Sequence, residues 1–171
     1  MKFSVKYNKK SILKEISEIK EILPDIRKYN IKHYFPFKDN TNIKEQIIKD
    51  EKRDNPLDKK KKVNLWITKN KEEIEKVISS IGFKVSKNKK FIIFLNLYGP
   101  EGYFYVPNII IANIHNKKID FITETIIHEL IHLLIEKKYK NKSYQEKEIL
   151  VDNILVTNFK KIIPNYKPQP F

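Results

Sequence analysis

The chain has 171 residues, with 35 Lys+Arg against 21 Asp+Glu for a formal charge of +14, and it contains no cysteine. That length supports one packed core, so residues 1–171 read as a single domain. The composition excludes disulfide staples and thiolate metal ligands. No apolar run is long enough to cross a bilayer, so a soluble, cytoplasmic protein with no membrane partner is expected.

In chain order, residues 2–7 alternate as a short strand, and Ser11–Lys28 carries Leu13, Ile16, Ile19, Ile22, Leu23 and Ile26 at helical spacing. Pro24 is expected to kink or split that helix. Residues 39–62 are densely charged, with an Asn55-Pro56 step, and read as a mobile loop. Val63–Thr68 reads as a strand, Glu72–Ile81 as a helix closed by Gly82, and Phe91–Leu97 as a central strand. After the turn Gly99-Pro100-Glu101-Gly102, the β-rich run 106–114 follows, with Pro107 tolerated at a strand start. The order suits an α+β layer with a mixed sheet. The Pro-containing tail 163–171 cannot extend a helix and should be extended, packed on the surface or lying in a cleft.

Two helices close the pattern. Asp120 is a good N-cap, and neither Pro nor Gly interrupts residues 121–138. Within them stands His128-Glu129-Leu130-Ile131-His132. At about 100° per residue the two imidazoles lie one turn apart on one face, where both reach a common zinc ion. The intervening Glu129 is then placed to take a proton from a metal-held water. Ile126, Ile127, Leu130, Ile131, Leu133, Leu134 and Ile135 fill much of the remaining circumference, which marks a mostly buried helix. Its polar stripe must therefore meet a cleft or satisfied partners. Two core histidines hydrogen-bonded to neighbours would also fit this pattern.

A zinc site needs at least a third protein ligand. His33 and His115 are the only other histidines. Ser143-Tyr144-Gln145-Glu146 reads as a capping box opening a helix over residues 144–161. On that helix Glu148 and Asp152 fall on an apolar face with Tyr144, Ile149, Val151, Leu155, Val156 and Phe159. Two carboxylates there would be costly without a cation or donors. A zinc ion held by Glu148, with Asp152 accepting the free N–H of a ligating histidine, satisfies both. A salt bridge to lysine on a less buried face is the alternative.

The succession of 128–132 and Glu148-Ile149-Leu150-Val151-Asp152 resembles the gluzincin metallopeptidases, which carry HExxH on one helix and ExxxD on the next. The small chain is most similar to the stand-alone minimal gluzincins (minigluzincins). The resemblance implies a zincin-like fold and one catalytic Zn2+ held by His128, His132 and Glu148. It further implies Glu129 as general base and Asp152 supporting a histidine. It also implies an exposed edge strand before the zinc helix, at 106–114, where Ala112 and Asn113 would pair with an extended peptide. Tyr144 stands near a tyrosine that supports the transition state in some members. The expected activity is zinc-dependent hydrolysis of a peptide or protein substrate, possible latency of the enzyme included.

Phage-immunity-type metallopeptidases, which cut regulatory proteins, are similar more loosely: a small residue usually stands where Val151 does here. The charge leaves room for a basic nucleic-acid-binding module with a non-catalytic zinc. Yet Arg27 and Arg53 are the only arginines, and base-reading or base-stacking motifs are absent.

Overall fold

The computed structural model describes residues 1–9, 12–28, 31–38 and 41–168. Ser11, Asp39 and Gln169-Pro170-Phe171, each at the boundary of an element expected above, lie outside the described residues. The elements run β1 (Lys2–Lys6), α1 (Ile12–Lys28), β2 (His33–Tyr34), α2 (Ile43–Asp54), α3 (Pro56–Ser80), β3 (Lys90–Asn96), β4 (Gly99–Pro100), β5 (Gly102–Tyr105), β6 (Ile109–Asn113), α4 (Ile119–Ile135) and α5 (Tyr144–Asn158). The fold is α+β.

The main sheet has four strands in the order β1-β3-β6-β5. β1 and β3 are parallel, β3 and β6 are parallel, and β5 is antiparallel to β6, so the sheet is mixed. β2 and β4 form a separate two-stranded ribbon. This order corrects the expectation that 106–114 is an edge strand. β6 is flanked on both sides, and β5 takes the edge. The reason is the short Val106-Pro107-Asn108 turn, which folds Ile109, Ile110 and Ile111 back as a hairpin partner against Tyr105, Phe104 and Tyr103 and leaves β5 on the outside.

The region between β1 and β3 departs most from the sequence reading. Residues 43–54 and 56–62 are helical rather than a loop, and Val63–Thr68 is helical rather than a strand. Asn55, in the left-handed region at φ 43°, closes α2 and caps α3 by accepting the Asp58 N–H, while Pro56 opens α3. Val63, Ile67, Ile74 and Ile78 then share one buried stripe at helical spacing. That stripe outweighs the β-propensity of the short window from 63 to 68. The charges of α2 and α3 are also used. Asp54 accepts from Arg53, Lys59 and the Asn116 N–H, and Lys59 also donates to the Ile114 carbonyl, which ties both helices to the β6–α4 connection.

Helix α1 runs unbroken through Pro24. Helix α4 contacts β5 and β6 on one side and α3 and α5 on the others, as its apolar circumference requires. Its N-cap is Lys118 without a side-chain cap, not Asp120, which lies in the first turn and meets the positive helix end. The tail is not extended at its start. Ile162 and Ile163 are buried, and a turn from the Tyr166 N–H to the Ile163 carbonyl folds it back onto the helices. Among the described residues no helix is long and apolar enough to cross a membrane.

Candidate metal centre

Helix α4 presents His128 and His132 from adjacent turns, both buried, with Glu129 buried between them in sequence. Helix α5 begins at the capping box expected from sequence. Ser143 accepts the Glu146 N–H, and the Glu146 carboxylate accepts the Ser143 N–H. Lys147 then bridges to both carboxylate oxygens of Glu136 at the end of α4, which holds the two helices side by side. From α5, Glu148, Val151, Asp152 and Leu155 point inward. Tyr144, Ile149 and Val156, expected on the same face, are exposed. The buried stripe is rotated towards Leu150 and Ile154, both packed against the core.

Three side chains converge. His132 Nε2 lies 3.0 Å from His128 Nε2 and 3.0 Å from Glu148 Oε1, and His128 Nε2 lies 3.1 Å from Glu148 Oε2. Donors held at zinc-like bond lengths of about 2.1 Å in a tetrahedron stand about 3.4 Å apart, so a few tenths of an ångström of outward adjustment would accommodate an ion. Two ring nitrogens facing each other can share only one proton, and a cation removes the conflict for both at once. The His128, His132 and Glu148 group can therefore bind a metal ion.

The other histidines are elsewhere. His33 Nδ1 interacts with its neighbouring Ile31 carbonyl, and His115 stacks on Tyr34 beside Arg53 and Asp54. Glu146 is occupied in the cap. The third position thus falls to Glu148.

The electrostatics separate the two glutamates. Burial raises the Glu129 carboxyl to about 7, against the lowering pull of His128 and His132. Glu148 is also penalised by burial, yet hydrogen bonding to His128 and His132 holds it down at about 2. One carboxyl is thus poised to exchange a proton near neutrality, and the other stays ionised as a ligand must.

The surroundings come from three places. The Phe104 ring of β5 stacks on His132 with centroids 5.6 Å apart and planes at 12°. Gly102, also on β5, lies against Glu129. On the far side of His128 stands Tyr166: its hydroxyl is 2.9 Å from His128 Nδ1 and donates to Asp152 Oδ1. Asp152 itself is 3.9 Å from His128 Nδ1, beyond hydrogen-bond reach. The expected direct Asp152–histidine bond is therefore corrected to one relayed through Tyr166.

No family model, curated protein or solved structure matches this chain.

What the centre can do thus follows from its own geometry. Ala112 and Asn113, expected to contact substrate, do not line it. Ala112 sits between Leu95 and Gly102 in the sheet with no exposed surface, and the Asn113 side chain is held by the Gly99 carbonyl and the His115 N–H. The outer side of β5 has no strand paired to it among the described residues. Tyr144 stands 71 % exposed one turn before Glu148. Partial desolvation of its hydroxyl and the nearby Glu148 carboxylate raise its pKa. Sequence reasoning missed Gly102, Phe104 and Tyr166. Only Gly102 left a trace, as a glycine opening the otherwise β-rich run Tyr103-Phe104-Tyr105.

Proposed function

We propose that the chain is a zinc-dependent peptidase of gluzincin type, hydrolysing bonds in a peptide or protein. The observation that carries this reading is a buried His128–His132–Glu148 donor set with a second buried carboxyl, Glu129, next to His128 on the same helix. A purely structural site is usually closed by a fourth protein ligand. Three protein ligands leave a position for water or substrate.

Zinc held there supplies Lewis acidity, polarising a carbonyl and lowering the pKa of a water. Glu129 takes the proton of the attacking water and passes it to the departing amine, a role suited to a carboxyl near neutrality. The free edge of β5 offers strand addition to an extended substrate, a few residues from both Glu129 and His132. Tyr144, at the rim beside Glu148, is placed to donate to charge that develops on the substrate.

Metal analysis of the purified protein, followed by turnover of a broad peptide library, tests the reading. Glu129→Ala should keep one zinc per chain and lose turnover, and Glu148→Ala should lose zinc. Equal zinc and equal turnover in wild type and both variants would overturn it. So would a chain with no peptidase activity that binds DNA in a salt-dependent way, the behaviour of a basic binding module.

A further inference from the structure

The C-terminal segment contributes a side chain to this centre that the proposed chemistry above does not use. Beyond α5, the Ile162 and Ile163 N–H groups bond back to the Phe159 carbonyl, and both side chains enter the core. The turn from Ile163 then delivers Tyr166 behind His128, on the Nδ1 side, opposite the edge that faces Glu148 and His132. Its ring lies tilted over the imidazole, with centroids 6.2 Å apart.

The protons along this chain can be counted. Asp152 as a carboxylate only accepts, and the Tyr166 hydroxyl has a single proton, which it donates to Asp152. The hydroxyl oxygen can then only accept from His128, so Nδ1 must carry hydrogen. An imidazole protonated at Nδ1 keeps Nε2 as the basic nitrogen, and Nε2 is the atom that meets Glu148 and His132. The opposite tautomer would turn an N–H towards the cation position and leave the Tyr166 hydroxyl facing a lone pair.

We propose that Tyr166 is a positioning residue for the metal centre. Its hydroxyl, held by Asp152, fixes His128 in the Nδ1–H form and couples docking of the C-terminal segment to metal affinity. The proposal rests on the reading that His128, His132 and Glu148 hold the ion. Coupling of this kind is reciprocal, so bound metal favours the docked segment as much as the docked segment favours metal.

The test measures the zinc dissociation constant by competition with a chromophoric chelator, for wild type, Tyr166→Phe, Asp152→Asn and the double variant. The melting temperature of each zinc-depleted protein is recorded alongside. Tyr166→Phe should weaken zinc about 10- to 100-fold, the range typical for groups that orient a ligand, with little change in the zinc-depleted melting temperature. Because the two residues act in series, the double variant should bind about as well as the weaker single variant. Wild-type affinity in Tyr166→Phe, or losses that multiply in the double variant, would overturn the proposal.

A second measurement needs no variant. Nitrogen-15 chemical shifts of His128 in the wild-type chain should report hydrogen on Nδ1, in the neutral ring or in the imidazolium, and an Nδ1 without hydrogen would overturn the proposal. If wild type binds no zinc, the metal reading fails, and the tautomer result still decides the Tyr166–His128 relationship on its own.

Discussion

Gly102 of β5 and Glu129 of α4 are packed so closely that a methyl group at position 102 would stand 2.6 Å from Glu129 Oε1 and 2.5 Å from the Thr125 methyl. The glycine lets the edge strand lie directly over the carboxyl that the proposed mechanism uses as base. Gly102→Ala must therefore push Glu129 aside or lift the strand. A misplacement of about 1 Å at a reacting group costs roughly a hundredfold in rate. We expect peptidase turnover to fall by about that factor while zinc content stays at the wild-type level. Turnover within about threefold of wild type would remove Gly102 from any role in placing Glu129.

Tyr144 is expected to act in the transition state rather than in binding. Tyr144→Phe removes the hydroxyl beside Glu148 and leaves an exposed ring. Steady-state kinetics should show kcat lowered by about tenfold or more with KM nearly unchanged, the signature of an interaction made only as the substrate reacts. A change confined to KM would reassign Tyr144 to substrate binding.

Metal removal should read out as lost stability. A ligand present at about a thousandfold over its Kd stabilises the folded state by roughly 4 kcal/mol. For a domain of this size that is about 10 °C in melting temperature. Differential scanning fluorimetry with and without a strong chelator measures it directly. The shift should vanish in Glu148→Ala, and a chelator effect that survives there would point to a different site.

Asp54 sets an acid limb on the stability curve. Burial would raise its pKa, but Lys59, Arg53 and the Asn116 N–H outweigh burial and leave it below the ordinary value of 3.8. A carboxylate lowered on folding adds stability above its unfolded pKa and loses it as the pH falls through the folded value. Asp54→Asn should therefore be clearly less stable than wild type in urea at pH 7, and the gap should narrow below about pH 4. An equal gap at pH 7 and pH 3 would mean that Asp54 contributes by shape and not by charge.

The Ser143 cap fixes the start of the helix that carries Glu148. Ser143→Ala removes the acceptor for the Glu146 N–H and should lower unfolding stability by about 1 kcal/mol. Denaturant titration checks this, and the melting-temperature gain from zinc should persist because Glu148 lies beyond the first turn.

The parts legible in advance were those with a short-range cause. The spacing of His128 and His132 is set by helix pitch, and the start of α5 by a four-residue capping box. The inward face of Glu148 and Asp152 likewise follows from apolar periodicity on a single helix. The helix over 56–80 was hidden by a β-prone window, although its stripe Val63, Ile67, Ile74 and Ile78 was visible over a longer span.

By itself, then, the order of residues determined which side chains could share a metal ion, because neighbours on a helix are related by a fixed rotation. Only tertiary structure decided which strand closes the sheet, that Gly102 and Phe104 roof the centre, and that Tyr166 stands between His128 and Asp152. Tyr166 is 38 residues from His128, and such pairings depend on how whole elements pack. No local periodicity encodes the hairpin that makes β5 the edge or the turn that returns the tail. They follow from burying several apolar surfaces together, which no single window of sequence contains.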